Sequence, residues 1–224
     1  MCFSAEASFT TAAVLIPAGT VTIVRAYKAG RRYLPISMLP LLLGLQQFFE
    51  GYVWIGNTME NDDWVRMFSL AYMIFAWLIW PIWLPFSTYF LEPCKRRYLY
   101  LLFAILGGMV GGMQYIPYLA HENWLVVRFL DNAISYEGTI LFDLIMRREI
   151  TNLIYVFVVV LPLLTSSMRG MRIFGAIILA VILVTFFFFQ YAYVSAFCFG
   201  AGVMSLYLVY LVFRETAVSP KISY

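Results

Sequence analysis

The chain has 224 residues, of which 63% are hydrophobic, 19% aromatic and 12% charged, where a soluble domain carries about 25% charged residues. That composition excludes an ordinary soluble domain. The net charge of +3, with no aromatic-interleaved basic stripe, excludes a nucleic-acid binder and leaves one polytopic membrane domain over 1–224 without visible repeat or linker.

Runs of about 20 apolar residues predict an all-α integral membrane protein, a seven-transmembrane-helix bundle with spans at roughly 8–26, 34–56, 67–91, 98–118, 150–168, 171–189 and 191–213. The opening "MCFSAEASFT" lacks the basic n-region of a cleaved leader, and a basic cluster follows the first span. That span is therefore expected to be a retained anchor with its N-terminus exported. Basic residues then set the orientation. Arg25, Lys28, Arg31, Arg32, Lys95, Arg96, Arg97, Arg169, Arg172, Arg214 and Lys221 all fall on one side, which the excess of Lys and Arg marks as cytoplasmic. The N-terminus lies outside and the C-terminus cytoplasmic in this reading, with the lipid bilayer as the first partner.

The second span reads "LLLGLQQFFEGYVW" and holds Glu50, an ionisable group that costs roughly 2–4 kcal/mol in hydrocarbon unless paired or neutral. Gln46 and Gln47 lie one turn earlier on the same face, so the three are expected to face protein or water as a ligand-binding or proton-handling group. The third span carries "WLIWPIWLP", where Pro81 and Pro85 remove backbone donors and Trp77, Trp80 and Trp83 either line a pocket or sit against lipid. In the fourth span "LGGMVGGMQYIP" repeats the G-x-x-x-G spacing through Gly107/Gly111 and Gly108/Gly112. This predicts close helix packing, with the Gly107–Gly112 face available to a partner, and places Gln114 near the outer end.

The fourth loop, 119–149, alternates apolar and charged residues and is expected to be a helix-like amphipathic segment along the outer interface. One helix over 171–213 would rise about 64 Å, twice the hydrocarbon thickness, so a turn near Gln190 must divide it. The last span then places Tyr191, Ser195, Cys198, Gly202 and Ser205 on one stripe.

These polar groups collect toward the outer side, while the inner halves of the spans are nearly all apolar, which predicts an outward-opening pocket formed by the N-terminal segment, Glu50 and the last helix. Its reactive candidates are Glu50, Cys2 and Cys198, and its substrate-binding candidates are Gln46, Gln47, Ser4, Ser195, Tyr191 and Gln114. Cys2, Glu50 and Cys198 are also the candidate ligands of a transition metal such as zinc, although no C-x-x-C or H-x-x-x-H spacing signals one; a Cys2–Cys198 disulfide and two unrelated thiols are the alternatives. His121, beside Glu122, reads as a surface residue, and Cys94 lies at the basic edge. All three lysines, Lys28, Lys95 and Lys221, stand outside the spans, which excludes a retinal Schiff base. A single histidine excludes haem, di-iron and Ser-His-Asp chemistry in the bilayer.

"MCFSAEASF", "LLLGLQQFFEG", "WPIWLP" and "YVSAFCF" together resemble a family of uncharacterised bacterial integral membrane proteins that open Met-Cys-Phe-Ser-Ala-x-Ala-Ser-Phe. The resemblance runs the whole chain and falls on Cys2, Phe3, Ser4, Gln46, Gln47, Glu50, Gly51, Trp80, Pro81, Ser195 and Cys198. It implies no reaction. The pocket suits a small or lipid-like ligand, held by an enzyme, by a sensor without turnover, or by a small-solute transporter against which the apolar inner halves weigh.

Overall fold

A computed structural model describes the backbone of residues 4–130, 133–188 and 193–218, with most of their side chains. Helices dominate, in seven stretches among the described residues. These are α1 (Ala5–Ala29), then α2 (Leu34–Ser37) running into α3 (Leu39–Thr58), then α4 (Asp62–Met73) continued by a π-helical segment Ile74–Ile79 into α5 (Trp80–Leu91), then α6 (Cys94–Ala120), α7 (Arg148–Leu164), α8 (Arg169–Phe188) and α9 (Tyr193–Val218). Among the described residues, four stretches are long and apolar enough to cross a membrane: Ala5–Ala29, Asp62–Leu91, Cys94–Ala120 and Arg169–Phe188. α7 is short, at 17 residues, and α3 carries the polar trio that lowers its hydropathy. The expected turn near Gln190 falls at residues outside the described ones.

Local chemistry explains the boundaries. Ser4 N-caps α1, its hydroxyl accepting from the Ala7 N–H at 3.3 Å, with Glu6 in the first turn where a negative charge favours the helix dipole. Asn61 caps α4 in the same way through Trp64 at 3.0 Å, followed by Asp62 and Asp63. At the opposite end, Glu92 closes α5 and is almost wholly buried. One of its carboxylate oxygens accepts from the Ser166 hydroxyl and the Ser167 N–H, both at 2.6 Å, pinning the α7–α8 turn to the end of α5.

α1 and α3 run antiparallel in close contact because Gly19, Gly44 and Gly51 receive Leu41, Leu15 with Ile16, and Phe9 respectively. α9 lies against both, with Gly202 at van der Waals distance from Thr11 and Leu15.

The closest packing is between α6 and the proline-bearing helix. Pro81 has no N–H for the Trp77 carbonyl four residues back, and Pro85 none for the Pro81 carbonyl. Gly111 sits against the Trp77 oxygen and Gly107 against the Pro81 oxygen, each so near that a methyl group would overlap it. Two carbonyls left without helical donors thus face two backbones bare enough to bring Cα–H groups to them. The π segment follows from the same donor deficit: the Trp80 N–H reaches back five residues to Phe75, which leaves the Ala76 carbonyl to be taken by the Tyr155 hydroxyl from α7.

The 119–149 segment departs from the helix-like expectation. It forms a β hairpin, β1 (Leu125–Leu130) paired antiparallel with β2 (Ala133–Gly138) in the register Val127↔Tyr136, with 3-10 turns at Glu122–Trp124 and Leu141–Leu144. The alternation in "LVVRFL" has period two: Leu125, Val127 and Phe129 are half-buried, while Val126, Arg128 and Leu130 are exposed. β-branched and aromatic residues favour that pleat over a helix. The hairpin lies over one end of the bundle, with Tyr136 stacked on Tyr72 at 4.9 Å and Phe129 edge-on to Trp54 at 5.8 Å. Arg148 closes its far side by bonding both the Asp143 carboxylate and the Gly138 carbonyl. Partial burial would raise the Asp143 pKa, but the bonds from Arg148 and from the Ile140 N–H outweigh it and hold the carboxyl below its ordinary value.

Gly107→Ala and Gly111→Ala should each destabilise the protein by about 1–3 kcal/mol, since a backbone must shift. Gly108→Ala and Gly112→Ala, whose nearest neighbours are side-chain carbons at 3.6 and 3.7 Å, should change the melting temperature little. A lowered folded pKa means that the Asp143 contribution is present above the unfolded value of about 3.9 and lost as pH falls through the folded one. The melting temperature of wild type should therefore fall more steeply than that of Asp143→Asn between about pH 5 and about pH 3; parallel curves would refute the clamp.

Candidate functional site

α3 carries its polar residues at 46, 47 and 50 on one face, and the structure turns that face inward: Gln46, Gln47 and Glu50 are all fully buried. Charge and amides in such a place must be bonded to persist. The Gln47 amide donates to a Glu50 carboxylate oxygen at 3.2 Å, and the Trp80 indole N–H donates to the Gln46 carbonyl oxygen at 3.0 Å. All three also take part in further polar interactions. Trp80 is thus the point where the α3 cluster joins the proline-bearing helix.

The outer face of Trp80 opens into a cleft of about 320 Å³ between that helix, α7, α8 and α9. Its floor is Ala76, Trp77 and Trp80, and its walls are Tyr155, Val156 and Val159 from α7, Ile182 and Thr185 from α8, and Val194 with Phe197 from α9. The volume is at the small end of the ~300–1,000 Å³ that ligand pockets span, and the lining is predominantly apolar as such pockets are. The π segment shapes it: Tyr155 bonds the Ala76 carbonyl and meets the Trp77 ring edge-on at 5.5 Å.

The remaining candidates are distributed. Ser4 serves as the α1 cap. Gln114 is fully buried on the face of α6 that carries Gly107 and Gly111, and neither of its amide atoms has a hydrogen-bond partner. Its neighbour Tyr115 donates to the Leu70 carbonyl at 3.0 Å. Cys2 and Tyr191 lie outside the described residues; Ser195 and Cys198 fall within α9, but their side chains are outside the described ones. Among the described residues no group of three or more His, Cys, Asp and Glu is placed to hold a metal. His121 is exposed and stacks on Trp124 at 4.5 Å, and Cys94 is exposed. Trp83 donates to the Pro35 carbonyl at 2.9 Å, away from the cleft.

Tyr155, Val159, Ile182 and Thr185 are absent from the sequence-based candidates, because aliphatic residues at helical spacing look alike whether they meet a neighbour or a void. Tyr155, a hydroxyl in the apolar run "NLIYVFVVVLP", is the one signal that pointed there.

A family model described as a family of unknown function, DUF6629, matches residues 1–222, and the chain belongs to that family. No curated protein and no solved structure matches it.

Trp80→Phe keeps an aromatic ring in place and removes the indole donor, so it should cost about 0.5–1.5 kcal/mol through the lost bond to Gln46. Thermal unfolding of the purified protein reads this directly; an unchanged melting temperature would mean that the bond is dispensable.

Proposed function

We propose that this member of the family is a seven-span protein of the bacterial cytoplasmic membrane, N-terminus outside and C-terminus cytoplasmic, that binds one small lipid-like molecule. The observation that carries the binding reading is the cleft of about 320 Å³ floored by Trp77 and Trp80. Trp80 lines the cleft and, through its indole N–H, bonds Gln46 of the buried Glu50 cluster. An apolar body in the cleft and a polar anchor behind it is the arrangement that orients an amphiphile.

The orientation is supported by the ends of the helices. The α1 end at Lys28, the α6 start at Lys95–Arg97, the α8 start at Arg169 and Arg172, and the late α9 residue Arg214 all carry positive charge, as cytoplasmic ends do. Glu50 with Gln46 and Gln47 then lies toward the outer side, where Ser4, Gln114, Tyr191 and Ser195 complete the candidate binding set. Cys2 and Cys198 are the candidate thiols, and with Glu50 they are the groups that would hold a metal such as zinc or react with a bound substrate.

Native mass spectrometry of protein purified in a mild detergent should find one lipid-like molecule retained per chain. Val159→Trp, which fills the cleft, should lose it while still unfolding cooperatively. Retention in Val159→Trp equal to wild type would sink the cleft as the site.

A further inference from the structure

α7 and α8 meet near the turn that joins them, where a side chain on Gly175 would overlap the Leu163 Cβ. Their opposite ends hold the mouth of the cleft. Phe186, two residues before the end of α8, lines the cleft and is still 57% exposed, so the cleft opens there. Asn152, one turn into α7, lines the cleft from the other helix and is half-buried. Its neighbour Leu153 and the Phe187 beside Phe186 are both exposed apolar residues, as a surface turned to hydrocarbon requires. The other polar groups of the lining have no contact to offer. The Tyr155 hydroxyl donates to the Ala76 carbonyl, the Thr185 hydroxyl turns back to the Val181 carbonyl at 2.8 Å, the Trp80 indole bonds Gln46, and the Trp77 nitrogen is buried away from the surface. Asn152 differs from all of them: among the described residues nothing hydrogen-bonds its side chain, which carries two N–H donors and a carbonyl acceptor.

We infer that Asn152 receives the polar head of the bound molecule at the mouth of the cleft, that head being an uncharged hydrogen-bonding group such as a hydroxyl, while a single hydrocarbon chain runs inward along Val156, Val159 and Ile182. Val156 and Val159 follow Asn152 at four and seven residues on one face of α7, which carries the chain about 10 Å inward at 1.5 Å per residue, toward Trp77 and Trp80. The head is uncharged because no charged side chain lines the cleft, and a charge taken from water without a partner is costly. This rests on the cleft being the ligand site and narrows the ligand class. A pure hydrocarbon fills the same volume but leaves the Asn152 amide unbonded, whereas a single-chain alcohol supplies it with both an acceptor and a donor.

The test compares dodecanol brominated at the end of its chain with dodecyl bromide, probes that share chain and bromine and differ in the hydroxyl. Each is titrated into detergent-solubilised full-length protein, where the bromine reports its arrival by quenching the emission of Trp77 and Trp80 at the inner end. The ratio of alcohol to alkyl affinity should be about three- to tenfold higher in wild type than in Asn152→Leu, the worth of one net hydrogen bond. Taking the ratio cancels the different partitioning of the two probes into detergent. Asn152→Ala, which loses the amide without adding bulk, should lower the ratio to the same extent and serves if the leucine variant does not fold. A ratio unchanged by loss of the amide overturns Asn152 as the head site while leaving the cleft as the site. Absence of saturable quenching by either probe overturns the cleft reading beneath it.

Discussion

Prolines at positions 81 and 85 take two N–H donors out of a helix of membrane length, and in hydrocarbon there is no water to replace them. The carbonyls of Trp77 and Pro81 must be met from outside the helix, and a second helix must come close enough to meet them. Gly111 and Gly107 allow this, because residues four apart on one helix match residues four apart on an antiparallel neighbour. The register of α6 against the proline-bearing helix is fixed by that match. The π turn, the Tyr155 bond to Ala76 and the void beside Trp77 and Trp80 are all downstream of it. A single backbone deficit therefore organises the helix pair, the position of α7 and the shape of the cleft.

Much of this was readable from residues alone, for identifiable reasons. The helical stretches follow the apolar runs because hydrophobicity acts over 20 residues and averages out local noise. Gln46, Gln47 and Glu50 stood out because a polar residue in an apolar run has few explanations. Both G-x-x-x-G patterns looked equal in the sequence. Only the freed carbonyls distinguish them, giving Gly107 and Gly111 a backbone partner while Gly108 and Gly112 meet side chains.

Other features were hidden by their context. The hairpin within 119–149 is hidden in the sequence because β1 alternates over only six residues and β2 buries Ile134, Ser135 and Tyr136 in a row, too little to separate a period of 2 from one of 3.6. Nothing in "LEPCKRR" sets Glu92 apart from a solvated acid, yet it is buried and pins the α7–α8 turn. The cleft depends on residues from four separate helical stretches, a kind of proximity that spacing along one chain does not encode.

The hairpin covers the ends of α3, α4 and α6. A lone two-stranded sheet is marginal by itself, and this one is held by the burial of Ile134, Tyr136 and Ile140 among helix residues, by two aromatic contacts and by the Arg148 bonds, with a solvent-exposed Arg128–Glu137 pair of little worth. It rests on α3 at Trp54, one turn beyond Glu50. Its buried side chains share a cluster with Val53 of α3, Tyr72 of α4 and Tyr115 and Tyr118 of α6, so lifting the hairpin uncovers the apolar ends of those helices and its opening is tied to the stability of the bundle.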